Sequence, residues 1–500
     1  MSLDAWIAGH GRFDPDKPAI HFDDEDISYG ALADRVSRTA SVLAGSLDLK
    51  PGDRLAYYGM NHPDVFVLVI AAARLGLVVV PLNWRLAVAE LRYIVGDCAP
   101  RAFFYGRHFA ENVSEIVSDL SECSAVPVFQ EPNARSLSDL RADVSDDQSD
   151  RAVTAPDDPL LIVYTSGTTG TPKGAVLSHQ AVLCNAMMSR HAFDLTSQDV
   201  VLNVLPLFHV GGLNIQPLPA LLHGATLVIH EKFEPDAVID AIASHRVTLI
   251  TSVPTVLQAM IDSPAWTPEA LGSLRSIATG STDVPLPLIE AVQKSGIPLI
   301  QVYGATETGP IAIYQRADRA METAGSIGRC GLLCDVRLVG SDGKDVAPGE
   351  NGEIWIQGDN ILSEYWNNPD ATRDNLIDGW FRTGDMARLD EAGEYWFADR
   401  IKHVIISGGE NIYPAELERV LRTCPGLSEA AVVGRADAKW GMVPVVVAVK
   451  ADDAVTRDGV LATFEERIAR FKRPRDVVFV DALPRNALGK IVVEKVRALV

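Results

Sequence analysis

The chain has 500 residues, of which 47% are hydrophobic and 22% charged, a globular composition with room for two or more domains. Its formal net charge of −21 argues against a general role on nucleic acid or an anionic membrane, because both need basic surfaces. Six cysteines without a Cys-x-x-Cys pair suggest neither a disulfide framework nor a zinc knuckle. The first residues lack the regions of a signal peptide, so we expect a cytoplasmic protein without an integral membrane segment.

The most apolar stretch, residues 65–82, is interrupted by Arg74 and Gly76. It predicts a buried helix followed by a core strand rather than a membrane span. Residues 138–158 are polar and acidic and predict a surface loop. Four apolar residues, Leu160 to Val163, then predict a strand.

The stretch from Tyr164 to Gly174 reads YTSGTTGTPKG. Its glycines let backbone N–H groups wrap an anion, and its hydroxyls and Lys173 add donors. The pattern matches neither the common phosphate loop, G-x-x-x-x-G-K-[ST], nor the dinucleotide fingerprint. It therefore predicts a third kind of polyphosphate loop; a flexible linker would not explain the lysine.

Further along, β-branched runs such as 226–229 and 298–302 alternate with helical patterns such as 235–245 and 287–295. This alternation predicts an α/β fold with mostly parallel sheets. We expect a large N-terminal domain of layered α/β sheets over residues 1–399, which includes a β-rich subdomain at about 330–399. Residues 400–500 predict a small α+β C-terminal domain, with a helix at 458–469.

Four later motifs join the opening loop, and they are YGATET (303–308), WFRTGD (380–385), DRIK (399–402) and PRNALGK (484–490). In this order and spacing, the set resembles the acyl-adenylate-forming superfamily, in its branch of AMP-forming acyl-CoA synthetases. The resemblance covers essentially the whole chain. It implies a ligase that uses ATP, Mg²⁺ and CoA to convert a carboxylic acid to an acyl-adenylate and then to a thioester. It also implies a C-terminal domain that rotates about a hinge at Lys402.

The resemblance implies an ATP site and a catalytic set. The residues of the ATP site are Thr165, Ser166, Gly167, Thr168, Thr169, Gly170, Lys173, Gly280, Tyr303, Gly304, Asp385 and Arg400. The catalytic residues are Thr306, Glu307, Lys490 and His209. Glu307 would hold Mg²⁺, because a carboxylate is a hard ligand for a hard cation. Asp385 would accept both ribose hydroxyls, and Lys490 would bridge the acid and the α-phosphate.

The resemblance also implies a CoA site, formed by Gly408, Gly409, Trp440, Phe471, Arg473 and Arg85. A structural role for the two aromatic residues and the two arginines stays open, because aromatic residues are usually part of the core.

The acid pocket is expected along Pro206 to Gly212, where His209 would act as a gate and the two glycines would leave room for an extended or flat acid. A medium- or long-chain fatty acid is the first expectation, and an aryl acid is the alternative. The absence of arginine from this stretch argues against a dicarboxylate, although Arg316, Arg319 and Arg329 lie downstream.

Two departures from the family pattern concern Gly280-Ser-Thr-Asp283 near the adenine site and Lys402-His403 at the hinge. An inactive nucleotide-binding homologue, a luciferase-like oxygenase and a kinase or ATPase are the rival functions. The chemically required residues are all present, which disfavours the inactive homologue. A homodimer stays open.

Overall fold

The computed structural model describes residues 2–131, 134–144, 152–165, 172–280, 284–407, 410–437, 439–465, 467–486 and 489–500. The chain divides into two compact units, Met1–Val336 with Ile356–Phe381, and Arg337–Trp355 with Arg382–Val500. Residues 382–399 therefore group with the C-terminal part of the chain. The hinge predicted at Lys402 concerns a movement and stays a prediction. Within the described ranges, none of the helices is long and apolar enough to cross a bilayer.

The strands are numbered in chain order. They are β1 Pro18–Phe22, β2 Glu25–Ser28, β3 Arg54–Tyr58, β4 Val78–Leu82, β5 Ala102–Tyr105, β6 Ser124–Pro127, β7 Pro159–Thr165, β8 Lys173–Ser178, β9 Val200–Asn203, β10 Thr226–Ile229, β11 Leu249–Ser252, β12 Ser276–Gly280, β13 Leu299–Tyr303, β14 Ile313–Tyr314, β15 Arg329–Cys330, β16 Cys334–Val339, β17 Asn351–Gly358, β18 Glu364–Tyr365, β19 Leu376–Ile377, β20 Trp380–Leu389, β21 Tyr395–Arg400, β22 Ile405–Ser407, β23 Glu410–Ile412, β24 Leu427–Asp437, β25 Gly441–Lys450 and β26 Asp476–Phe479.

The α-helices are numbered in the same way. They are α1 Leu3–Phe13, α2 Tyr29–Ser41, α3 Pro63–Leu75, α4 Val88–Cys98, α5 Ala110–Ile116, α6 Leu137–Ala142, α7 His179–Phe193, α8 Val210–Asn214, α9 Pro217–Leu222, α10 Pro235–Ser244, α11 Pro254–Ile261, α12 Pro268–Leu271, α13 Leu286–Gln293, α14 Ala317–Ala320, α15 Pro369–Asn375, α16 Pro414–Leu421, α17 Arg457–Ala462 and α18 Val493–Arg497.

The first unit contains two large sheets. One has nine strands in the order β15-β14-β13-β12-β11-β9-β10-β1-β2, and the other has seven in the order β18-β8-β7-β4-β3-β5-β6. Strands β1, β10, β9, β11, β12 and β13 run parallel, which brings their carboxyl ends to one edge. That edge is where ligands bind in open α/β sheets. Apolar residues of α10 to α13 cover one face of the nine-stranded sheet and form a core with its strands.

In the second unit, β23, β22, β25 and β24 pair in that order, and β26 adds to β25. Leu417 and Leu421 of α16 join a buried core with Phe464 on this sheet. A further sheet has the order β16-β17-β20-β19, with β21 paired to β20.

The α/β fold class is confirmed, and the apolar stretch 65–82 is the buried helix α3 followed by the core strand β4. The loop expected over 138–158 is partly wrong, because α6 covers Leu137–Ala142. Ser136 caps that helix by accepting from Asp139 N, and Asp139 accepts from Ser136 N in return. The helix expected at 458–469 ends at Ala462.

Candidate active site

The opening motif lies in a β-hairpin. Strands β7 and β8 run antiparallel, and Thr165 pairs directly with Lys173. Ser166, Gly167, Thr168, Thr169 and Gly170 lie outside the described residues, between these two strands. A Cβ on Gly174 would lie 2.7 Å from Ile162 Cγ2 and 3.3 Å from Trp366 Cβ, so a side chain there would collide with its neighbours. Lys173 therefore lies next to a tightly packed part of the hairpin.

Glu307 and Lys173 are connected through Tyr365, a residue that the sequence did not single out. The Tyr365 hydroxyl donates to Glu307 Oε1 at 2.9 Å, and Lys173 Nζ lies 5.6 Å from the centre of the Tyr365 ring. Strand β18 pairs Tyr365 with Ala175 of β8, and Leu362 N donates to Glu307 O at 2.8 Å. The structure therefore brings the predicted metal ligand and the predicted phosphate lysine to one place.

The Tyr365 hydroxyl remains a donor at physiological pH. Burial, followed by the charge and hydrogen bond of Glu307, raises its pKa above the ordinary value for tyrosine. No sequence signal marks Tyr365, because its position depends on pairing between β18 and β8, which are far apart in the chain.

Glu307 lies in a single 3₁₀ turn, Thr306–Thr308, after β13. Among the described residues, no group of three His, Cys, Asp or Glu side chains could by itself hold a metal ion. Mg²⁺ keeps several waters and is bound through one or two carboxylates together with substrate phosphates. The Glu307 carboxylate therefore fits Mg²⁺ as a ligand shared with a nucleotide.

Two predicted glycines are required by close backbone contacts at the carboxyl edge of the nine-stranded sheet. A Cβ on Gly280 would lie 2.2 Å from Val302 O, and a Cβ on Gly304 would lie 1.7 Å from Pro310 O. These glycines flank Tyr303, which ends β13 and is half-buried. Both glycines are therefore required by close packing against neighbouring backbone at this edge.

His209 caps helix α8, since its Nδ1 accepts a 3.1 Å hydrogen bond from Gly211 N. That bond requires an unprotonated Nδ1, which leaves the proton of a neutral ring on Nε2. The sequence suggested that Gly212 leaves room for the acid. This reason is wrong, because a Cβ there would lie 2.2 Å from Pro206 O. Gly212 therefore allows a tight backbone turn and does not widen a pocket.

In the second unit, Asp385 and Arg400 are directly paired across β20 and β21. Arg400 Nε lies 3.1 Å from Asp385 Oδ1, and the carboxylate is largely buried. The structure therefore joins the two residues predicted to bind ribose.

Lys490 is also near this pair. Burial, and then the positive charge of Arg400, lower its pKa, whereas Asp385 acts in the opposite direction. Lys490 lies on a turn in which Asn486 N donates to Lys490 O at 2.9 Å and Lys490 N donates to Asn486 Oδ1 at 3.0 Å. The backbone of the predicted catalytic lysine is therefore anchored by both of its polar groups.

The predicted hinge follows β21, where Ile401–His403 form a 3₁₀ turn. Asp399 Oδ2 accepts from Ala415 N at 2.7 Å, at the start of α16, and its Oδ1 accepts from Arg400 N at 2.7 Å. Burial raises the pKa of Asp399 to about 6. Burial, followed by the charges of Lys402 and Arg400, lowers the pKa of His403 to about 4.

Trp440 and Phe471 are 42% and 46% exposed, which excludes the core role that the sequence left open. Ser407, which directly precedes Gly408 and Gly409, pairs with Gly441 next to Trp440. Those two glycines lie outside the described residues.

Phe471 and Arg473 lead into β26, which runs parallel to β25 and pairs Asp476 with Val445. The start of β25 is therefore the end of the sheet at which Trp440, Phe471 and the strand before Gly408 meet. The Nε atom of Arg473 already has a hydrogen-bond partner, because it donates to Ile468 O at 3.0 Å.

Arg85 belongs to the first unit. Its Cζ lies 4.9 Å from the Trp84 ring centre and 5.9 Å from that of Phe208, the neighbour of His209. Burial lowers its pKa. Because cation–π contacts of this kind stabilise a guanidinium near aromatic rings, they account for its position without a ligand.

Comparisons with known proteins agree with this geometry. The family model "AMP-binding enzyme" matches residues 9–366, and the model "AMP-binding enzyme C-terminal domain" matches residues 416–490. The chain is 46% identical over 502 residues to the indoleacetate–CoA ligase of Aromatoleum aromaticum, covering 100% of this chain and 98% of that protein. It is 38% identical over 499 residues to a feruloyl-CoA synthase of an Amycolatopsis species, covering 99% of each.

A solved structure, ATP-bound MatB from Rhodopseudomonas palustris, superimposes with a TM-score of 0.91 at 30% identity, covering 100% of this chain and 99% of that one. The two CoA-forming relatives and this structure cover all five motifs, and the family models cover those at 164–174, 303–308 and 484–490. The chain therefore belongs to the family of AMP-binding enzymes, and it is an AMP-forming acid–CoA ligase that uses ATP and CoA as substrates.

Proposed function

We propose that the acid is an aromatic one, of the general kind of indoleacetate or ferulate, rather than the fatty acid that the sequence first suggested. The observation that carries this proposal is the 46% and 38% identity to ligases named for aromatic acids, each over 98% or more of both chains. An aromatic acid needs a largely apolar pocket, and His209 is the only ionisable residue within the stretch 206–212.

Electrostatics near the expected pocket supports an acid with a single carboxylate. Nη2 of Arg316 donates to both carboxylate oxygens of Asp194, at 2.8 and 3.0 Å. Arg319 and Arg329 also have interaction partners. None of the three is therefore an obvious counter-ion for a second carboxylate, which strengthens the argument against a dicarboxylate.

In the first half-reaction, the acid carboxylate attacks the α-phosphorus of ATP and pyrophosphate leaves. All groups at this step are anionic, so catalysis consists mostly of positioning and charge neutralisation. Lys173 would steady the leaving pyrophosphate, and Glu307 would hold Mg²⁺ against the phosphates. Thr306 would donate to the α-phosphate, and Tyr303 would offer its ring to adenine.

Asp385 would accept the ribose hydroxyls with help from Arg400. Lys490 would bridge the carboxylate and the α-phosphate. The location of Asp385, Arg400 and Lys490 in one unit supports these roles.

In the second half-reaction, the CoA thiol attacks the acyl carbon and AMP leaves. Trp440 and Phe471 would stack on the adenine of CoA, and Arg473 would bind a phosphate. The loop with Gly408 and Gly409 would admit the pantetheine. The exposure of the two aromatic rings at one end of the sheet supports this proposal. His209 would act as the gate between the two steps.

The test is an assay of AMP and pyrophosphate release with hydroxylamine to trap the acyl-adenylate. The panel contains indole-3-acetate, ferulate, phenylacetate, octanoate, palmitate and malonate. We expect the aromatic acids to give the highest kcat/KM. If octanoate or palmitate exceeds every aromatic acid, the proposal is wrong. Release of ADP instead of AMP would contradict the reaction class itself.

A further inference from the structure

Several buried residues carry polar atoms without a hydrogen-bond partner among the residues that the structure describes, and three of them lie in helix α8, directly before α9 and in strand β11. They are Asn214 at Oδ1, Gln216 at both amide atoms and Thr251 at Oγ1. Asn214 and Gln216 are 0% exposed, and Thr251 is 6% exposed. Buried polar groups are nearly always hydrogen-bonded, so each of these exceptions needs an explanation.

Strand register places Thr251 on one particular face of the nine-stranded sheet. Its neighbour Ile250 belongs to the core that α10 to α13 cover. Successive side chains of a strand point to opposite faces, so Thr251 points to the other face.

Helix α9 packs against β9 and β10, yet none of its residues belongs to that core. It therefore covers the same face as Thr251. Gln216 directly precedes this helix, at its N-cap position.

Asn214 connects this polar group to the proposed acid pocket. It ends helix α8, which His209 caps, and its Nδ2 donates to Gly309 O at 3.2 Å. Asn185 of α7 donates to Asn214 O at 2.6 Å and accepts from Ile311 N at 3.1 Å. Asn214 thus lies between the pocket helix α8 and the segment that follows the Glu307 turn.

We infer that Gln216, Asn214 and Thr251 form the inner end of the acid pocket and accept a hydrogen bond from a ring N–H or O–H of the substrate. This inference rests on the proposed aromatic acid. It narrows the proposed substrates to aromatic acids that carry a ring N–H or O–H. Three of the four unpartnered atoms are oxygens that can accept. All four belong to neutral groups, so a neutral donor suits them better than a second carboxylate or an ammonium group.

The test compares indole-3-acetate with 1-benzothiophene-3-acetate, which has nearly the same shape but no N–H. In the wild type, we expect kcat/KM to favour the indole acid by about tenfold or more, because a site built to hydrogen-bond a donor rejects the analogue that lacks it. Gln216→Leu should bring this ratio close to one. Thr251→Val, which keeps the side-chain shape, should lower it in the same direction.

Thr279→Val is the matched control. Its Oγ1 is also buried without a partner among the described residues, but Thr279 pairs with Ser252 and so points to the face opposite Thr251. This variant should keep the wild-type ratio. A ratio that shifts equally in Thr279→Val would indicate a general structural effect and overturn the inference.

A wild-type ratio near one, or variants that slow both acids in parallel, would also overturn it. If neither bicyclic acid reacts, the pair 4-hydroxyphenylacetate and phenylacetate asks the same question, and equal rates there overturn the inference as well. Reaction with fatty acids alone would instead reject the proposed aromatic substrate. The two failures are therefore distinguishable.

Discussion

The hydroxyl of Tyr365 donates a hydrogen bond of 2.9 Å to Oε1 of Glu307, so a tyrosine from β18 orients the carboxylate expected to hold Mg²⁺. The same ring lies 5.6 Å from Lys173 Nζ. One buried side chain therefore contacts the two groups on which the handling of ATP phosphates would depend.

Tyr365→Phe removes this hydrogen bond and keeps the ring. We expect the Mg²⁺ concentration for half-maximal ATP–pyrophosphate exchange to rise about threefold to tenfold, the scale of the net contribution of one ordinary hydrogen bond. Glu307→Gln should raise it further, because it removes the ligand charge itself. Tyr29→Phe is the control, since it loses hydrogen bonds to Leu221 O and Ala225 O elsewhere in the unit. An unchanged Mg²⁺ requirement in Glu307→Gln would exclude this carboxylate as the ligand.

Lys490 should act only in adenylation. Lys490→Ala should slow acyl-adenylate formation about a hundredfold or more, the scale of one preorganised charge, and leave thioester formation from supplied acyl-adenylate nearly intact. Lys402→Pro should show the reverse, because proline locks φ at the predicted hinge and should hold the adenylating orientation. Half-reaction assays with purified acyl-adenylate measure both effects. Equal loss of both half-reactions in both variants would contradict the predicted rotation.

The lowered pKa of Lys490 also predicts a pH profile. Only the protonated lysine carries the bridging charge, so adenylation should fall as pH rises through a pKa below the ordinary 10.5. Lys490→Arg keeps its charge at higher pH and should move this alkaline limb upward. A limb at the same pH in both enzymes would assign the titration to another group.

Arg473 should serve CoA alone. Arg473→Ala should raise the KM for CoA about tenfold, because it removes one charged phosphate contact, while ATP–pyrophosphate exchange stays intact. Arg467→Ala is a nearby control, since its guanidinium donates to Thr423 Oγ1 at 2.6 Å and carries no predicted ligand role. Loss of exchange in Arg473→Ala would show a structural role through its bond to Ile468 O.

His403 should weaken the second unit on acidification. Its folded pKa of about 4 lies below its unfolded value, so its contribution is present above pH 6.5 and is lost as pH falls toward 4. Between pH 7 and pH 5, this loss amounts to about 2 kcal/mol. His403→Gln should remove this loss. In denaturant unfolding between pH 7 and pH 5, the free energy of unfolding should therefore fall by about 2 kcal/mol less in the variant than in the wild type.

Asp399 acts in the opposite direction, because its folded pKa is raised to about 6 and protonation below that pH favours the folded state. His403 Nδ1 lies 3.7 Å from Asp399 Oδ1, so the difference between His403→Gln and the wild type reports the histidine together with its coupling to Asp399. A difference that does not change with pH would refute the assignment.

The sequence by itself determined the fold class and indicated most residues of the candidate site. The alternation of β-branched runs and amphipathic stretches reflects local periodicity, which is why α3, α10 and α13 were found with only small errors at their ends. The motifs at Thr165–Lys173, Tyr303–Glu307 and Asp385 could also be read, because their chemistry depends on adjacent residues. The family and the CoA ligase activity followed from those motifs in order.

Only the tertiary structure decided what depends on residues far apart in the chain. Tyr365 reaches Glu307 through the pairing of β18 with β8, and no local pattern marks such a contact. Gly212 is required by the close contact with Pro206 O rather than by a ligand. The sequence does not distinguish these two reasons for a glycine. The unpartnered amide of Gln216 became visible only once its burial was known, because a hydrogen bond that is missing has no sequence signature.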